Sequence, residues 1–311
     1  MRYPSFLRKI KQRISMISDS NRLIHQIRFN QKKYILEQNI LHSQESGITD
    51  EKYCAHDIIV SLTTYSKRIY DVHLTIESIM EQTMKANRII LWLDYSFEKQ
   101  PLPKALQLLQ KRGLEIKYCK DIRSYKKLIP VLKKYPDDAI ITIDDDVLYE
   151  FDLLEKLIMA YQEDPSYIYC NRHHLMLPDG KGKLLPYMQW KWNYTDQNAS
   201  IWNFPTGVGG VLYPPYSLDE EVFNESVFLD ICKYADDVWF KAMAMKKGTL
   251  SKKVYTHNPK GEEYFLNESV QDIGLSMINT QGEFLNDRQI DAVFTKYNLY
   301  PLLKPCQLSR K

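Results

Sequence analysis

Three consecutive carboxylates, Asp144, Asp145 and Asp146, follow the apolar run AIITI at residues 139–143. One Asp at this point would be enough to cap a following helix. Two like charges about 4 Å apart repel by roughly 4 kcal/mol at an effective dielectric of 20, so three adjacent carboxylates are costly without a cation. Mg²⁺ and Mn²⁺ prefer carboxylate oxygen and often share their shell with a substrate phosphate. The triplet therefore predicts a Mn²⁺ or Mg²⁺ site, with helix capping as the alternative.

A second acidic pair, Asp236 and Asp237, lies near the start of a helical segment at residues 232–248. Beside a metal-bound diphosphate, such a pair is a candidate general base or a group that orients an acceptor. His257 follows a short predicted strand and is a candidate for a metal shell or a phosphate contact. Each has a structural alternative, as a helix cap for the acidic pair and as an ordinary structural histidine for His257.

Cations and hydroxyl groups follow two predicted strands in the first half of the chain. After the strand at residues 57–65 come Thr63, Thr64 and Arg68, and after the strand at residues 114–119 come Arg123, Ser124 and Lys126. Such groups suit a nucleotide diphosphate, which needs charge neutralisation and contacts to sugar and base. The sequence has neither GxxxxGK[ST] nor GxGxxG, so the patterns of a P-loop and of a dinucleotide-binding site are absent.

Aromatic residues are concentrated in residues 185–215, ahead of a glycine-rich turn. The six in this stretch are Tyr187, Trp190, Trp192, Tyr194, Trp202 and Phe204. Aromatic faces are good platforms for the apolar faces of sugar rings, although a β-rich core element is the alternative for most of the six. Gly207, Gly209 and Gly210 indicate a backbone pressed closely against a ligand or another strand.

Short β-rich runs alternate with helical patterns between residues 57 and 164. The strands are predicted at residues 57–65, 88–94, 114–119 and 139–144, and the helices at residues 72–83, 102–113, 130–135 and from about 153 to before Pro165. This alternation predicts a largely parallel sheet covered on both faces. Ligands of such sheets bind beyond the carboxyl ends of the strands, where Asp94 and the acidic triplet fall.

The composition is that of a globular protein, with 311 residues, 44% hydrophobic and 26% charged. Five widely spaced cysteines without a CxxC pair argue against a disulfide framework or a zinc site and favour a reducing compartment. No apolar run reaches the length of a membrane span, and no signal-peptide pattern follows Met1. The expected location is therefore the cytoplasm.

The net charge of +3 conceals an asymmetry along the chain. Residues 1–33 hold nine Lys or Arg and one Asp, which leaves 33 basic and 38 acidic residues in the rest. Leu7, Ile10, Ile14 and Ile17 recur at helical spacing within this basic segment. The pattern indicates an amphipathic helix on an anionic membrane face, with a helix packed on the body or on a partner subunit as the alternative. Nucleic acid is not an expected partner, because the remaining chain has no basic stripe.

The motifs together resemble the nucleotide-sugar glycosyltransferases of the GT-A fold. In order they are IIVSLTTYSKRI, IILWLD, DIRSYKKLIPVLKKYPDDAIITIDDDVLY, NFPTGVGGVLYPP and YADDVWFKAMA, within about residues 56 to 260. The chain is most similar to bacterial transferases of polysaccharide and lipopolysaccharide assembly, and more distantly to exostosin-type domains. The resemblance implies one Rossmann-like, mixed but mostly parallel sheet flanked by helices. The predicted parts are a basic helical segment (1–50), the GT-A domain (51–261) and a C-terminal extension (262–311).

The resemblance also implies roles for individual residues. The donor-binding residues are expected to be Thr63, Thr64, Tyr65, Arg68, Asp94, Arg123, Lys126, Asp144 and Asp145. The metal ligands are expected to be Asp144 and Asp146, the outer members of an Asp-x-Asp motif, together with His257. The residues beside the acceptor are expected to be Trp202, Gly207, Gly209 and Gly210. Asp237 is the expected catalytic carboxylate with Asp236 beside it, although the family usually has Glu-Asp here, which leaves open which of the two acts.

The predicted activity is metal-dependent transfer of a hexosyl or hexosaminyl group from a nucleotide-diphosphate sugar, expected to be a UDP-sugar. The acceptor would be a hydroxyl of a glycan or of a lipid-linked saccharide in surface polysaccharide synthesis. A non-catalytic glycan-binding protein would explain the aromatic stretch but not two acidic sites. A sugar-phosphate nucleotidyltransferase should carry a glycine-rich loop after its first strand, where SLTTYSKRIYD has no Gly. A metal-dependent nuclease would need a basic groove, and the mildly acidic body of the chain argues against this class. Inversion and retention of the anomeric centre both remain open.

Overall fold

The computed structural model describes residues 5–267 and 285–303, with side chains from residue 23 onward. The strands are β1 Ile58–Thr63, β2 Arg88–Asp94, β3 Leu114–Cys119, β4 Ala139–Thr142, β5 Val147–Tyr149, β6 Ile168–Cys170, β7 His173–Leu175, β8 Asn203–Pro205, β9 Val211–Tyr213, β10 Ser251–Lys253 and β11 Tyr264–Leu266. The helices are α1 Ser5–His42, α2 Val72–Met80, α3 Lys104–Gln110, α4 Ile129–Lys134, α5 Leu153–Glu163, α6 Glu225–Ile231, α7 Asp236–Lys247 and α8 Leu285–Lys296.

Seven strands form the central sheet in the order β10-β6-β9-β4-β1-β2-β3. Strands β3, β2, β1 and β4 are parallel neighbours, and β10 is parallel to β6. Strand β9 runs antiparallel to both β4 and β6 and joins the two parallel groups. This confirms the predicted mixed, mostly parallel sheet.

Helices cover both faces of the sheet, and successive residues of a strand point alternately into the two cores. Ile59 and Ile140 contribute to the core shared with α4, α6, α7 and α8, whereas Ile58, Val60 and Ile141 contribute to the core shared with α1, α2, α3 and α5. All five side chains are fully buried. Continuous apolar runs are typical of parallel strands buried on both faces, which is why the sequence pattern identified them.

Helix α1 continues beyond the predicted basic segment, and its C-terminal part packs against the rest of the domain. Leu36 and Ile40 are buried in the same core as α2 and α3, while other apolar residues of this helix are exposed. The amphipathic prediction rests on Leu7, Ile10, Ile14 and Ile17. These side chains lie outside the part of the chain whose side chains the structure describes. In the described part of the chain, no helix is both long and apolar enough to cross a membrane.

The acidic triplet lies in a turn between β4 and β5, not at the start of a helix. Strand β4 ends at Thr142, β5 begins at Val147, and α5 begins only at Leu153, with Asp152 as its N-cap residue. The alternative that the triplet caps the following helix is therefore wrong. Asp236 and Asp237 lie in the first turn of α7, whose N-cap residue is Ala235, so neither is the N-cap residue of this helix.

Candidate active site

A cavity of about 580 Å³ opens at the carboxyl edge of the parallel strands. The turns after β1, β3 and β4 form one side of it, and the first turn of α7 with the segment around β7 and β8 forms the other. Of the predicted donor residues, the cavity is lined by Thr63, Thr64, Tyr65, Arg68, Arg123, Lys126, Asp144 and Asp145. Asp146, Asp236 and Asp237 line it too. The parallel topology therefore brings together residues that are up to 174 positions apart, from Thr63 to Asp237.

The middle carboxylate of the triplet is anchored within the protein. Thr64 Oγ1 donates to Asp145 Oδ2 at 2.5 Å, and Arg68 Nη1 donates to Asp145 Oδ1 at 2.7 Å. Asp145 is 7% exposed, and burial raises its pKa to about 6, although the Arg68 charge opposes that shift. Arg68 also lies 3.1 Å from Asp146 Oδ2. Asp145 thus fixes the turn, and all three carboxylates of the triplet line the cavity.

Lys127 joins the triplet to the acidic pair of α7, which the sequence did not predict. Its Nζ lies 2.9 Å from Asp144 Oδ1 and 2.9 Å from Asp236 Oδ2, and its side chain is 7% exposed. Burial lowers the pKa of Lys127, but Asp144, Asp236 and Asp237 outweigh burial and hold that pKa well above its ordinary value. A buried, permanently charged lysine therefore balances the carboxylates of two different elements. We call Lys127, Asp144, Asp236 and Asp237 the charge hub.

Asp237 has the environment of a base that works near neutral pH. Burial raises its pKa to about 7, opposed by Lys127 and reinforced by the charges of Asp236 and Asp144. Its Oδ2 accepts a hydrogen bond from the Gly207 backbone N–H at 3.0 Å. Asp236 is held differently, since it pairs with Lys127 and accepts from Ser124 Oγ at 2.8 Å. The two neighbouring carboxylates thus occupy distinct surroundings, the pattern expected when one is catalytic and one is structural.

The predicted glycine-rich floor supports the charge hub at one position. A Cβ on Gly207 would lie 2.7 Å from Lys127 Nζ, 3.1 Å from Asp237 Oδ1 and 3.2 Å from Asp144 Oδ1. Only glycine lets the backbone approach so closely. Gly209 instead packs against Arg172, and Gly210, at φ +81°, packs against Leu153.

Six of the predicted site residues lie outside the cavity lining: Gly207, Gly209 and Gly210, described above, and Asp94, Trp202 and His257. Asp94 Oδ1 accepts from Ser96 N–H at 2.9 Å. Trp202 is 6% exposed and belongs to the core, which contradicts its prediction as the acceptor's aromatic platform. His257 Nε2 lies 3.2 Å from Asp152 Oδ2, and it does not join Asp144 and Asp146 in a shared metal shell. Within residues 5–267 and 285–303, no three His, Cys, Asp or Glu side chains are grouped to hold a metal ion.

The family of the chain follows from a comparison with protein-family models. The model described as glycosyl transferase family 2 matches residues 62–218, which include the β1 turn, the acidic triplet and the glycine-rich turn. The chain belongs to glycosyl transferase family 2. It is therefore a nucleotide-sugar glycosyltransferase with a GT-A fold, as the sequence motifs predicted.

The chain is also similar to two solved structures, each at low sequence identity. The chain is similar to Staphylococcus aureus TarS 1–349 in complex with UDP, at 13% identity over 65% of this chain and 58% of that one, with a TM-score of 0.41. It is also similar to CMP:2-keto-3-deoxy-manno-octonic acid synthetase complexed with CTP, at 13% identity over 64% of this chain and 89% of that one, with a TM-score of 0.37. No curated protein matches the sequence significantly.

Proposed function

We propose that the chain is a metal-dependent hexosyl- or hexosaminyltransferase that uses a UDP-sugar. It would transfer the sugar to a hydroxyl of a glycan or a lipid-linked saccharide in surface polysaccharide synthesis. The observation that supports the proposal is the charge hub, in which Asp144, the proposed metal ligand, and Asp237, the proposed base, lie around Lys127 in one cavity.

The residues present fit a divalent cation that is shared with the substrate. Mg²⁺, and Mn²⁺ with similar ligand preferences, is commonly bound by one or two carboxylates together with substrate phosphates, and a cage of protein ligands alone is not required. Asp144 and Asp146 both line the cavity, and Asp144 is 31% exposed. These two would hold the cation, which when bound would stabilise the charge that builds on the departing diphosphate.

The cations of the chain supply the rest of the donor site. Arg123 and Lys126 line the cavity on the β3 side and Arg68 on the β1 side. The Arg123 guanidinium lies over the Tyr234 ring at 4.8 Å, which holds it at the cavity wall. Guanidinium and ammonium groups so placed bind phosphate oxygens and leave the sugar facing α7.

Asp237 then acts as the general base toward the acceptor. A carboxylate with a pKa of about 7 can accept a proton at neutral pH more effectively than an ordinary aspartate. It would take the proton from the attacking hydroxyl while the nucleoside diphosphate leaves from the opposite face of the sugar. This assignment corresponds to inversion at the anomeric carbon.

If the cavity binds a nucleotide sugar together with a cation, one nucleotide sugar should stabilise the protein in a metal-dependent way. With Mn²⁺ present, we expect one member of a nucleotide-sugar panel to raise the melting temperature, since a ligand that binds only the native state stabilises it. Asp146→Ala should weaken that binding by more than about tenfold, because it removes one of two cation ligands. Asp230→Ala, at an exposed position, is the control. A wild-type protein that no nucleotide sugar stabilises would oppose the proposal.

We further propose that α1 rests on an anionic membrane, which would place the enzyme at the inner face of the cytoplasmic membrane. Residues 1–33 carry nine Lys or Arg. Leu23, Ile27, Tyr34 and Leu41 are each between 47% and 62% exposed on the helix that buries Leu36 and Ile40. Exposed apolar groups beside clustered basic charge are typical of interfacial helices.

If α1 binds an anionic membrane, the protein should sediment with vesicles in a salt-sensitive way. The protein should sediment with phosphatidylglycerol-containing vesicles and far less with phosphatidylcholine alone, because the basic segment needs anionic headgroups. Ile27→Glu should reduce binding several-fold, whereas Tyr255→Glu, at an exposed site in the loop after β10, should not. Equal sedimentation with both vesicle types, or none with either, would contradict the proposed binding of α1 to an anionic membrane.

A further inference from the structure

Trp192 is exposed at the rim of the cavity. It is 41% exposed and lines the cavity, whereas the other four tryptophans are between 0% and 6% exposed. Ligand pockets are commonly lined by aromatic side chains, so an indole exposed in the lining of this cavity is a candidate ligand contact.

The indole of Trp192 is held in place by His174 and Tyr187. Its ring stacks on His174, with centroids 4.8 Å apart and an interplanar angle of 21°. Its Nε1 donates to the Tyr187 carbonyl at 3.2 Å, and the Tyr187 ring meets it edge-on at 5.4 Å. Since His174 covers one face of the indole, the exposed area includes the opposite face.

The support is uncharged and rigid. His174 is 1% exposed, and burial, reinforced by Arg172, lowers its pKa to about 3, so its ring is neutral in the cell. Its Nδ1 accepts from the Asn193 backbone N–H at 3.1 Å. Asn193 Oδ1 in turn accepts from Arg172 Nε at 2.6 Å, and Arg172 Nη1 donates to Thr206 Oγ1 at 3.0 Å. Asn193 thereby fixes the indole and the guanidinium of two cavity-lining residues relative to each other.

The indole lies on the side of the cavity that holds the base. Asn193 ties the indole to Arg172, whose Nη1 donates to Thr206 Oγ1. The N–H of the next residue, Gly207, donates to Asp237 Oδ2 at 3.0 Å. The donor residues Thr63, Arg68 and Arg123 follow β1 and β3 instead. A group stacked on Trp192 would therefore sit near Asp237 and away from the predicted nucleotide contacts.

We propose that the open face of Trp192 is an acceptor subsite that stacks against the apolar C–H face of a pyranose ring. Arg172 is the adjacent polar group that would contact ring hydroxyls. An indole face and a pyranose C–H face are complementary in size and polarity. The inference rests on the proposed function and specifies its acceptor as a pyranoside. The aromatic residue beside the acceptor is then Trp192, where the sequence had indicated Trp202.

The test is saturation-transfer NMR with methyl α- and β-pyranosides of glucose, galactose and mannose, in the presence of UDP and Mn²⁺. In the wild type we expect transfer to the ring C–H protons of at least one glycoside. Trp192→Ala should lower that signal by about threefold to tenfold, and Trp192→Phe should retain part of it, because a smaller ring still stacks. Phe151→Ala, at a position that is 61% exposed on another surface, is the matched control.

A donor measurement on the same variants separates this inference from the proposed function. Trp192→Ala should keep the wild-type thermal response to the nucleotide sugar. Loss of that response would assign the indole to the donor and overturn the subsite. Transfer that is absent in the wild type, or unchanged in Trp192→Ala, would overturn it as well. Failure of the proposed function would appear separately, as a wild-type protein that no nucleotide sugar stabilises.

Discussion

Replacing Lys127 with Met should lower the free energy of unfolding by about 3–5 kcal/mol at pH 8, with loss of sugar transfer. Lys127 is buried and lies 2.9 Å from both Asp144 and Asp236, with Asp237 beside them. Methionine fills a similar volume but leaves three carboxylates without their shared cation. Removing one partner of a buried ion pair is more damaging than removing both, because the remaining charges stay desolvated.

The deficit of Lys127→Met should depend on pH in a defined direction. The pKa of Asp237 is already raised to about 7, and without the lysine the pKa values of the remaining carboxylates should rise further. A carboxyl with a raised folded-state pKa binds more protons in the native than in the unfolded state, so stability falls as pH rises from about 4 through 7. The variant should therefore approach the wild type at pH 5 and fall furthest behind at pH 8.

Urea denaturation at both pH values measures this difference. Lys111→Met removes an exposed lysine and should change stability by less than about 0.5 kcal/mol. A Lys127→Met protein within about 1 kcal/mol of the wild type at pH 8 would show that the hub is not energetically important.

Asp237→Asn should lower the turnover number by about 10²- to 10⁴-fold while leaving donor binding intact. Asparagine keeps the shape and can still accept from the Gly207 N–H, but it cannot take a proton. Because the pKa of Asp237 is raised to about 7, wild-type turnover should rise with pH up to about 7 and then level off. The variant's residual rate should lack that rise.

Asp236→Asn distinguishes the two neighbouring carboxylates. Asp236 pairs with Lys127 and accepts from Ser124, so its replacement should affect stability more than the pH profile of turnover. If Asp236→Asn removed the rise with pH and Asp237→Asn retained it, the roles assigned here would be reversed.

Much of the site was predictable because parallel strands end at one edge of the sheet. Thr63, Asp144 and Asp237 are far apart in the chain, yet each comes at or just after the end of a strand or at the start of a helix that faces that edge. Alternation of buried runs and helical patterns is enough to locate that edge. The sheet and the main cavity residues follow from this rule.

The remaining features depend on side-chain direction, which spacing does not specify. Lys126 and Lys127 are adjacent, but the 3₁₀ turn at Arg123–Lys127 turns Lys126 toward Asp121 and Lys127 into the charge hub. Trp192 and Trp202 share one aromatic stretch, yet Trp202, which directly precedes β8, is buried in the core while Trp192 is 41% exposed. Tertiary packing determines the direction and burial of these side chains, and neither property leaves a periodic signal in the sequence.

The most direct measurement is the initial rate of nucleoside diphosphate release from a panel of nucleotide sugars, with Mn²⁺ and then with excess EDTA. We expect sustained release from one donor, a UDP-sugar, that stops in EDTA and is absent in Asp146→Ala. No release from any donor would contradict the assignment of the cavity as a transferase site. Equal release in EDTA would contradict the role given to Asp144 and Asp146.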